Sequence, residues 1–427
     1  MRHIVILGAG FAGLSALHTL EQATLTRRKL KITLVSNSTH FLFTPLLPNV
    51  ANSELSLKSI TFPLKDHIDP STELIIEQIT GLDLKHNQLL TSSQPIPYDY
   101  LLLAPGSETD WKDHEHWKDL CYTCKSAEDA VLIREHIEHT FAKAAQLPKN
   151  ERQSLLTFAF AGAGPTGVEL LAEIYAGLAR DVFSKASPDL VQQTRFLLID
   201  PQDQILTNLP TELQKFAHDH LSNTPGISIL TNTSVTERTE HEITLSSGET
   251  ILCDHLFWCA GVKPSSLLQN SNLELDASGR VMTDSTLQAL GCENVFVAGD
   301  CAAPPEAPAP NAQAAKQQGP VAAQNIIAAL SGRAPKTFSF QHLGDMLTLG
   351  RGRAAIKVMG VPLQGRVAYA MYRAAYASLM PGAMNKMHIL TEWFEHDLAT
   401  ARIMSLPNLP MANLPTTEPA DKDTVEE

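Results

Sequence analysis

The sequence predicts an α/β fold of two doubly wound, Rossmann-like domains followed by a C-terminal amphipathic helical region. Three observations carry that reading. A buried-strand pattern runs into a glycine fingerprint at Ile4–Gly13, and the same arrangement returns about 150 residues later at Leu155–Gly167. In each half a later apolar strand also ends in small residues and glycine, at a nearly equal distance from its fingerprint: Gly8 to Gly106 in the first half, Gly162 to Gly261 in the second.

Taken in order, Ile4-Val5-Ile6-Leu7 reads as a buried parallel strand, and Gly8-Ala9-Gly10-Phe11-Ala12-Gly13 turns it tightly into the helix that opens at Leu14. A helix N-terminus there presents free N–H groups and a positive dipole end to a pyrophosphate. Lys31–Val35 is the second strand and is followed by Ser36-Asn37. Leu101–Leu103, ending in Ala104-Pro105-Gly106, is the late strand. Ser126–Ala145 has helical spacing and links the halves. The second fingerprint is Gly162-Ala163-Gly164-Pro165-Thr166-Gly167, with Pro165 in a first helical turn that needs no backbone N–H. Arg195–Ile199 is its second strand and Asp200 stands at the strand end, a longer way from the fingerprint than usual because Ser184–Thr194 reads as an insertion. A carboxylate there accepts from both adenosine ribose hydroxyls and repels a 2′-phosphate, which predicts preference for a dinucleotide without that phosphate. A hairpin is expected in each half before its late strand, in the second at Val235–Arg238 and Glu242–Leu245. Asn294–Val297 is a strand ending in Ala298-Gly299-Asp300, Pro304–Pro310 is a loop, and an alanine-rich helix opens at Asn311 and runs to Leu330. Short strands follow in Thr337–Val361. Gly365–Leu398 is helical, with one stripe of Tyr369, Tyr372, Tyr376 and Leu379 and another of Leu390, Trp393, Phe394 and Leu398. From Pro407 the composition is that of a disordered tail.

Charge and composition exclude several classes. A net charge of −13 argues against nucleic acid as partner. Six cysteines are too sparse for a disulfide scaffold. Met1-Arg2-His3 leads straight into the first strand without a signal peptide, and no run approaches the 18 apolar residues of a membrane span, so the expectation is a cytoplasmic chain that crosses no membrane. No metal-ligand set is read.

Together with Phe43-Thr44-Pro45-Leu46-Leu47-Pro48, the run Ala312-Gln313-Ala314-Ala315-Lys316-Gln317-Gln318-Gly319 and the Tyr/Trp-bearing C-terminal region, these motifs resemble the type II NADH dehydrogenases, single-subunit NADH:quinone oxidoreductases. The resemblance implies non-covalent FAD in the first domain, NADH as substrate in the second, and electron transfer to a quinone without proton pumping. By the same resemblance, Gly8, Gly10 and Gly13 form the FAD pyrophosphate loop, Thr44 and Pro45 flank the flavin, Asp300 takes its ribityl and phosphate portion, and Gly162, Gly164 and Gly167 hold the NADH pyrophosphate. Ser36, Ala104, Gly106, Asp200 and Gly261 complete the cofactor-facing set. Ser36 stands where the family usually has an acid, which weakens its hydrogen bonds to a ribose.

The catalytic set implied is Glu169, between nicotinamide and flavin and also read as a first-turn acid offsetting its helix dipole, with Gln313, Lys316 and Gln317 facing the flavin from the quinone side. Gln313 would donate its amide to a quinone carbonyl. The corresponding division of the chain is 1–120 and 285–345 for FAD, 121–284 for NADH with the connecting helix, 346–404 for a membrane-surface region, and 405–427 for the tail. The two aromatic stripes, with Arg366, Arg373 and Lys386, would meet the lipid surface, making the protein peripheral on the cytoplasmic face of a membrane such as a bacterial inner membrane and leaving room for a homodimer. Two rivals stay open. Cys121-Tyr122-Thr123-Cys124 has the spacing of a redox dithiol, which suits a sulfide:quinone or dithiol oxidoreductase, and a non-catalytic flavin- and NADH-binding protein would share both fingerprints.

Overall fold

In the structure, a computed structural model, residues 1–24, 30–306, 308–350 and 352–404 are described, and the expected tail from Pro407 lies outside them. The helices are α1 (Phe11–Thr24), α2 (Leu47–Ala51), α3 (Ala127–Gln146), α4 (Pro165–Asp181), α5 (Pro188–Gln193), α6 (Thr211–Ser222), α7 (Ala312–Leu330), α8 (Gly365–Leu379) and α9 (Ala383–Met404).

The apolar runs become the middle of two parallel sheets. In the first, Val295–Val297, Tyr100–Leu103, Arg2–Leu7, Leu30–Ser36 and Glu73–Ile76 lie side by side in that order. In the second, His255–Trp258, Thr157–Ala161, Arg195–Ile199 and Ile227–Leu230 follow the same order from the late strand outward. The repeat legible in the glycine spacing is therefore a repeat of topology. Ile4, Val5, Ile6, Leu101, Leu102 and Leu103 are all fully buried, as strands covered on both faces must be. Each half also carries an antiparallel meander, Ile79–Asp83 with Gln88–Thr91 and Ile96–Pro97, and Val235–Arg238 with Glu242–Leu245 and Thr250–Leu252, so each expected hairpin gains a third strand. The second unit is inserted into the first, because Val295–Val297 returns to pair with Tyr100–Leu103. Ser107–Thr109 pairs antiparallel with Val262–Pro264 and stitches the two halves together.

Local signals set the helix boundaries. Ser126 Oγ accepts from Asp129 N at 3.1 Å while Asp129 Oδ2 accepts from Ser126 N at 3.1 Å, a reciprocal capping box that starts α3. Asn311 Oδ1 accepts from Ala314 N at 2.8 Å and starts α7. The insertion in the second half holds the short helix α5. Helices α1 and α7 cross so closely that a Cβ on Gly319 would lie 2.3 Å from the Ala12 carbonyl oxygen, which explains the glycine that ends the alanine- and glutamine-rich run.

The C-terminal region departs from expectation. Asp345–Thr348, Ala354–Val358 and Val361–Gln364 form an antiparallel sheet, with α8 and α9 beyond it. The tyrosine stripe of α8 faces the protein rather than a lipid surface: Tyr369 and Tyr372 are buried, and Tyr376 meets Phe43 edge-on at 5.7 Å. Trp393 is buried too, and Arg373 is not free for a lipid phosphate, because it lies over the rings of Tyr369 and Trp393 and donates to Glu54 at 2.6 Å. The inward aromatic faces give this region more apolar area than polar partners could replace. What α8 and α9 turn outward is Leu390, Phe394 and Leu398 of the second expected stripe, together with Val367, Met371, Met384 and Met387.

One buried pair makes stability pH-dependent. His255 Nε2 donates to the Leu155 carbonyl at 2.8 Å, so its Nδ1 is the acceptor for His136 Nε2 at 2.8 Å, and a proton added to His255 would face a donor. Burial lowers His255 from the ordinary 6.5 to about 4, with His136 adding to the effect. The unfolded chain therefore takes up that proton first: the contribution to stability is full above pH 6.5 and is lost as pH falls toward 4, by up to about 3 kcal/mol. Denaturant titrations at pH 7.5 and pH 5 should show a smaller loss for His255→Gln, which keeps a donor for Leu155, than for the unsubstituted protein.

Candidate functional site

At both strand-to-helix turns, backbone meets backbone. A Cβ on Gly8 would lie 2.1 Å from the Ala104 carbonyl oxygen and one on Gly13 would lie 1.8 Å from that of Gly8; in the second half Gly162 meets Cys259 O at 2.4 Å and Gly167 meets Gly162 O at 1.9 Å. Only the middle glycines, Gly10 and Gly164, have open space where a side chain would project. Each turn is thus closed toward the sheet and open toward a ligand, which fits a pyrophosphate seated on the N-termini of α1 and α4. The residues present fit two dinucleotides on this observation.

The second turn opens into a cavity of about 1180 Å³ that reaches from Gly162, Gly164 and Asp200 across Glu169 and Gly261 to Thr44, Pro45 and Asp300. Asp200 Oδ2 accepts from Ala163 N at 2.6 Å and Oδ1 from Gln202 N at 2.9 Å. Each carboxylate oxygen keeps a second lone pair for a ribose hydroxyl. In the first half Ser36 is buried and its hydroxyl accepts from Ser38 N at 3.1 Å, so this residue shapes its own loop.

At the other end, Asp300 Oδ2 accepts from Ser107 Oγ at 2.6 Å, and Lys125 Nζ donates to the same hydroxyl at 2.8 Å. Burial lowers the Lys125 pKa and the charge of Asp300 opposes that. Lys125 lines the cavity and escaped the sequence reading, in which its only mark is its place beside the capping Ser126. Gln318 was missed as well. Its buried side chain accepts from Gly299 N at 2.6 Å and so fixes the backbone just before Asp300.

Glu169 is the fifth residue of α4, just past the first turn, and it is largely buried beside the strand that carries Thr348. Its Oε1 accepts from Thr348 N at 3.0 Å. Burial pushes its pKa up to about 8, so the carboxyl is mostly protonated at pH 7 and can donate a hydrogen bond into the cavity.

The glutamines of α7 also bond the backbone of the segment that follows the helix. Gln313 Nε2 donates to Gly344 O at 2.8 Å and Gln313 Oε1 accepts from Leu343 N at 3.3 Å; Gln317 pairs in the same two-way manner with Gln341, at 2.9 Å each way. Both amides hold the 341–344 segment on α7, each with its oxygen and one of its two side-chain N–H donors. Lys316 stays exposed between them. The cysteines do not form a poised pair: Cys121 packs beside the Trp111, Trp117 and Trp258 cluster, Cys124 joins the larger core, and burial raises both thiols, Cys121 to about 12. All six cysteines are free thiols.

Residues 2–319 match the pyridine nucleotide-disulphide oxidoreductase family. Among similar proteins, the type II NADH:quinone oxidoreductase Ndh of Mycobacterium tuberculosis is 31% identical over 421 residues, covering 94% of this chain and 89% of its own. The demethylphylloquinone reductase NdbB of Synechocystis is 28% identical, covering 92% and 96%. Of solved structures, NDH2 from Plasmodium falciparum in complex with NADH superposes with a TM-score of 0.84 at 19% identity, over 93% of this chain and 98% of that one. The sulfide:quinone oxidoreductase of Aquifex aeolicus superposes with a TM-score of 0.72 at 17% identity, over 92% of each. These two likenesses are of fold.

Replacing Gln313 and Gln317 by alanine should free the 341–344 segment while the sheets stay intact. Amide exchange at Gln341 and Leu343 is expected to quicken about tenfold, with a loss of about 1–2 kcal/mol in stability. Hydrogen exchange read by mass spectrometry checks it.

Proposed function

Because this chain belongs to the pyridine nucleotide-disulphide oxidoreductase family, and within it to the type II NADH:quinone oxidoreductases, we propose how its own residues carry electrons from NADH to a quinone. The observation that carries the reading is one cavity with a glycine turn and Asp200 at one end and Thr44, Pro45 and Asp300 at the other. FAD, when bound, supplies the two-electron carrier between the substrates, and the protein supplies position and electrostatics.

In this reading residues 1–120 and 285–345 hold FAD, with Gly8, Gly10 and Gly13 on its pyrophosphate, Ala104 and Gly106 beside it, Ser36 at its ribose end, and Asp300 on the ribityl portion. Lys125 and Ser107 hold the Asp300 carboxylate in one orientation. Residues 121–284 seat NADH, with Gly162, Gly164 and Gly167 on the pyrophosphate, Gly261 at the late strand end and Asp200 on the ribose. Glu169 lies where nicotinamide must stack and water must be kept out. Gln313 and Gln317 place the 341–344 segment, and Lys316 offers a positive charge from the exposed side of α7. The dithiol alternative finds no support in Cys121 and Cys124, which lie in separate apolar clusters with raised thiol pKa values.

No described helix is long and apolar enough to cross a membrane. The protein would sit peripherally on the cytoplasmic face, held by the outward side of α8 and α9, where Met384 is 81% and Phe394 63% exposed, with Arg366 and Lys386 nearby. Sedimentation of the purified protein distinguishes a monomer from a homodimer.

Two measurements test this reading. The purified flavoprotein should oxidise NADH rapidly only when a short-chain quinone is added, and kcat/KM for NADPH should be about tenfold or more below that for NADH. Slow NADH oxidation with every quinone, or equal use of NADPH, would refute it. Leu390→Glu with Phe394→Glu should reduce co-sedimentation with anionic liposomes at least about tenfold, since each buried side chain is worth about 2 kcal/mol. Turnover with a water-soluble quinone should persist in that variant.

A further inference from the structure

Helices α4 and α6 and the C-terminal sheet enclose a second cavity, of about 1000 Å³, that shares no lining residue with the dinucleotide cavity. Its size is at the upper end for a small-molecule site. The floor belongs to α4. Ala172, Ala176 and Ala179 recur at intervals of four and three residues, so they share one helix face and leave a trough that larger side chains would fill. Tyr175 and, from α6, Phe216 give the trough aromatic walls. The turn between Asp345–Thr348 and Ala354–Val358 closes one end: a Cβ on Gly350 would lie 2.7 Å from the Ala172 carbonyl oxygen, and the φ of +72° there suits glycine.

The rim carries positive charge. Arg353, at the end of that turn, and Arg366, at the start of α8, both border the cavity and are exposed. Arg353 Nη1 donates to His220 Nδ1 at 2.9 Å, and neither arginine is paired with a carboxylate among the described residues. Burial, with the Arg353 charge adding to it, lowers His220 below the ordinary histidine value, so this partner is neutral at pH 7 and leaves the guanidinium charge uncancelled. Asp219 is the only acid among the described lining residues. In a chain of net charge −13, such an excess of positive charge is local to the cavity mouth.

The mouth also continues into apolar surface. Gln364, Gly365 and Arg366 border it, and α8 goes on with Val367, 65% exposed, and Met371 one turn later. Both belong to the outward face that the proposed attachment uses, and the inference rests on that reading. An apolar trough that ends at two arginines complements a molecule with a hydrocarbon chain and an anionic head, because the planar guanidinium matches the oxygens of a phosphate.

We propose that this cavity binds one anionic phospholipid of the membrane, its phosphate between Arg353 and Arg366 and one acyl chain along the trough of Ala172, Ala176 and Ala179. The lipid takes no part in electron transfer. It adds a specific anchor to the general insertion of Leu390 and Phe394, and so selects the orientation in which the protein lies on the membrane.

Arg353→Gln with Arg366→Gln is the test, since both side chains are exposed and neither faces the dinucleotide cavity. The probe is dihexanoyl-phosphatidylglycerol kept below its micelle concentration, with binding to the full-length flavoprotein read by calorimetry in the absence of vesicles. One molecule should bind per chain, and the double variant should bind it about tenfold or more weakly, as two lost guanidinium–phosphate contacts require. Dihexanoyl-phosphatidylcholine, with no net charge, should bind the parent weakly by a similar factor, and inorganic phosphate should not displace the lipid. Ala179→Phe, which fills the trough and leaves the arginines in place, should also weaken binding; should that variant fold poorly, the arginine pair decides alone. Leu390→Glu with Phe394→Glu should bind the short lipid as the parent does, and turnover with a short-chain quinone should be unchanged in the arginine variant. Equal binding of the two lipids, displacement by phosphate, or unchanged affinity in the arginine variant overturns the site. A parent dimer that binds no lipid also overturns it, and assigns the cavity to a second copy of this chain. A parent that binds the lipid but reduces no quinone refutes the proposed electron transfer and not the lipid site.

Discussion

Contact between backbones at the end of a buried parallel strand is the constraint on which the rest of this structure depends. Gly8 against Ala104 and Gly162 against Cys259 leave no room for a methyl group, so each helix starts directly over the sheet edge and the late strand is locked beside the first. Everything that faces the cavity inherits its position from those contacts. Asp200 is anchored by the amide of Ala163 within the glycine turn, and Asp300 follows a backbone that Gln318 reaches from α7. Helix α7 can reach it because Gly319 lets it press onto α1, the helix that the first turn creates.

The parts of this design that reside in backbone geometry and apolar periodicity are legible in sequence. Strands such as Arg195–Ile199, the caps Ser126 and Asn311, and the repeated topology all follow from local patterns. What stays hidden is which polar groups find one another across long separations. Gln313 and Gln317 read as free amides at a flavin-facing helix, and nothing in their own neighbourhood announces that residues 341–344 will occupy them. Lys125 and Glu54 are equally silent, since each takes its meaning from a partner far away in the chain, Asp300 by way of Ser107, and Arg373. Periodicity marked the tyrosine stripe of α8 correctly as apolar but could not say whether it faced lipid or protein.

The inward turn of that stripe is bound up with the burial of charge. Glu54 and Arg373 lie 2.6 Å apart beneath Trp393 and Tyr369, and a buried pair of this kind is tolerated only when its remaining donors and acceptors are occupied. Tyr369, Asn49 and Asp397 occupy most of them, while Arg373 Nε lies buried with no partner among the described residues, where the ring faces of Tyr369 and Trp393 pack the guanidinium. The C-terminal helices are consequently part of the core of the protein on one side and exposed apolar surface on the other. The same two helices therefore bury charge with one face and expose apolar side chains with the other, and a change on the inner face disturbs the first without touching the second.

The return of Val295–Val297 to the strand Tyr100–Leu103 has a consequence for how the chain is made. Leu101 finds its outer neighbour in Val295 roughly 190 residues later, so a ribosome adding about 5–20 residues per second leaves that sheet edge unpaired for about 10–40 s. During that interval the nascent chain displays Leu101, Leu102 and Leu103 with free backbone groups on one side, while a second unit of identical strand order is emerging behind it. Synthesis thus presents an open edge together with a look-alike sheet, and correct assembly depends on the second unit closing on itself before the two can exchange strands.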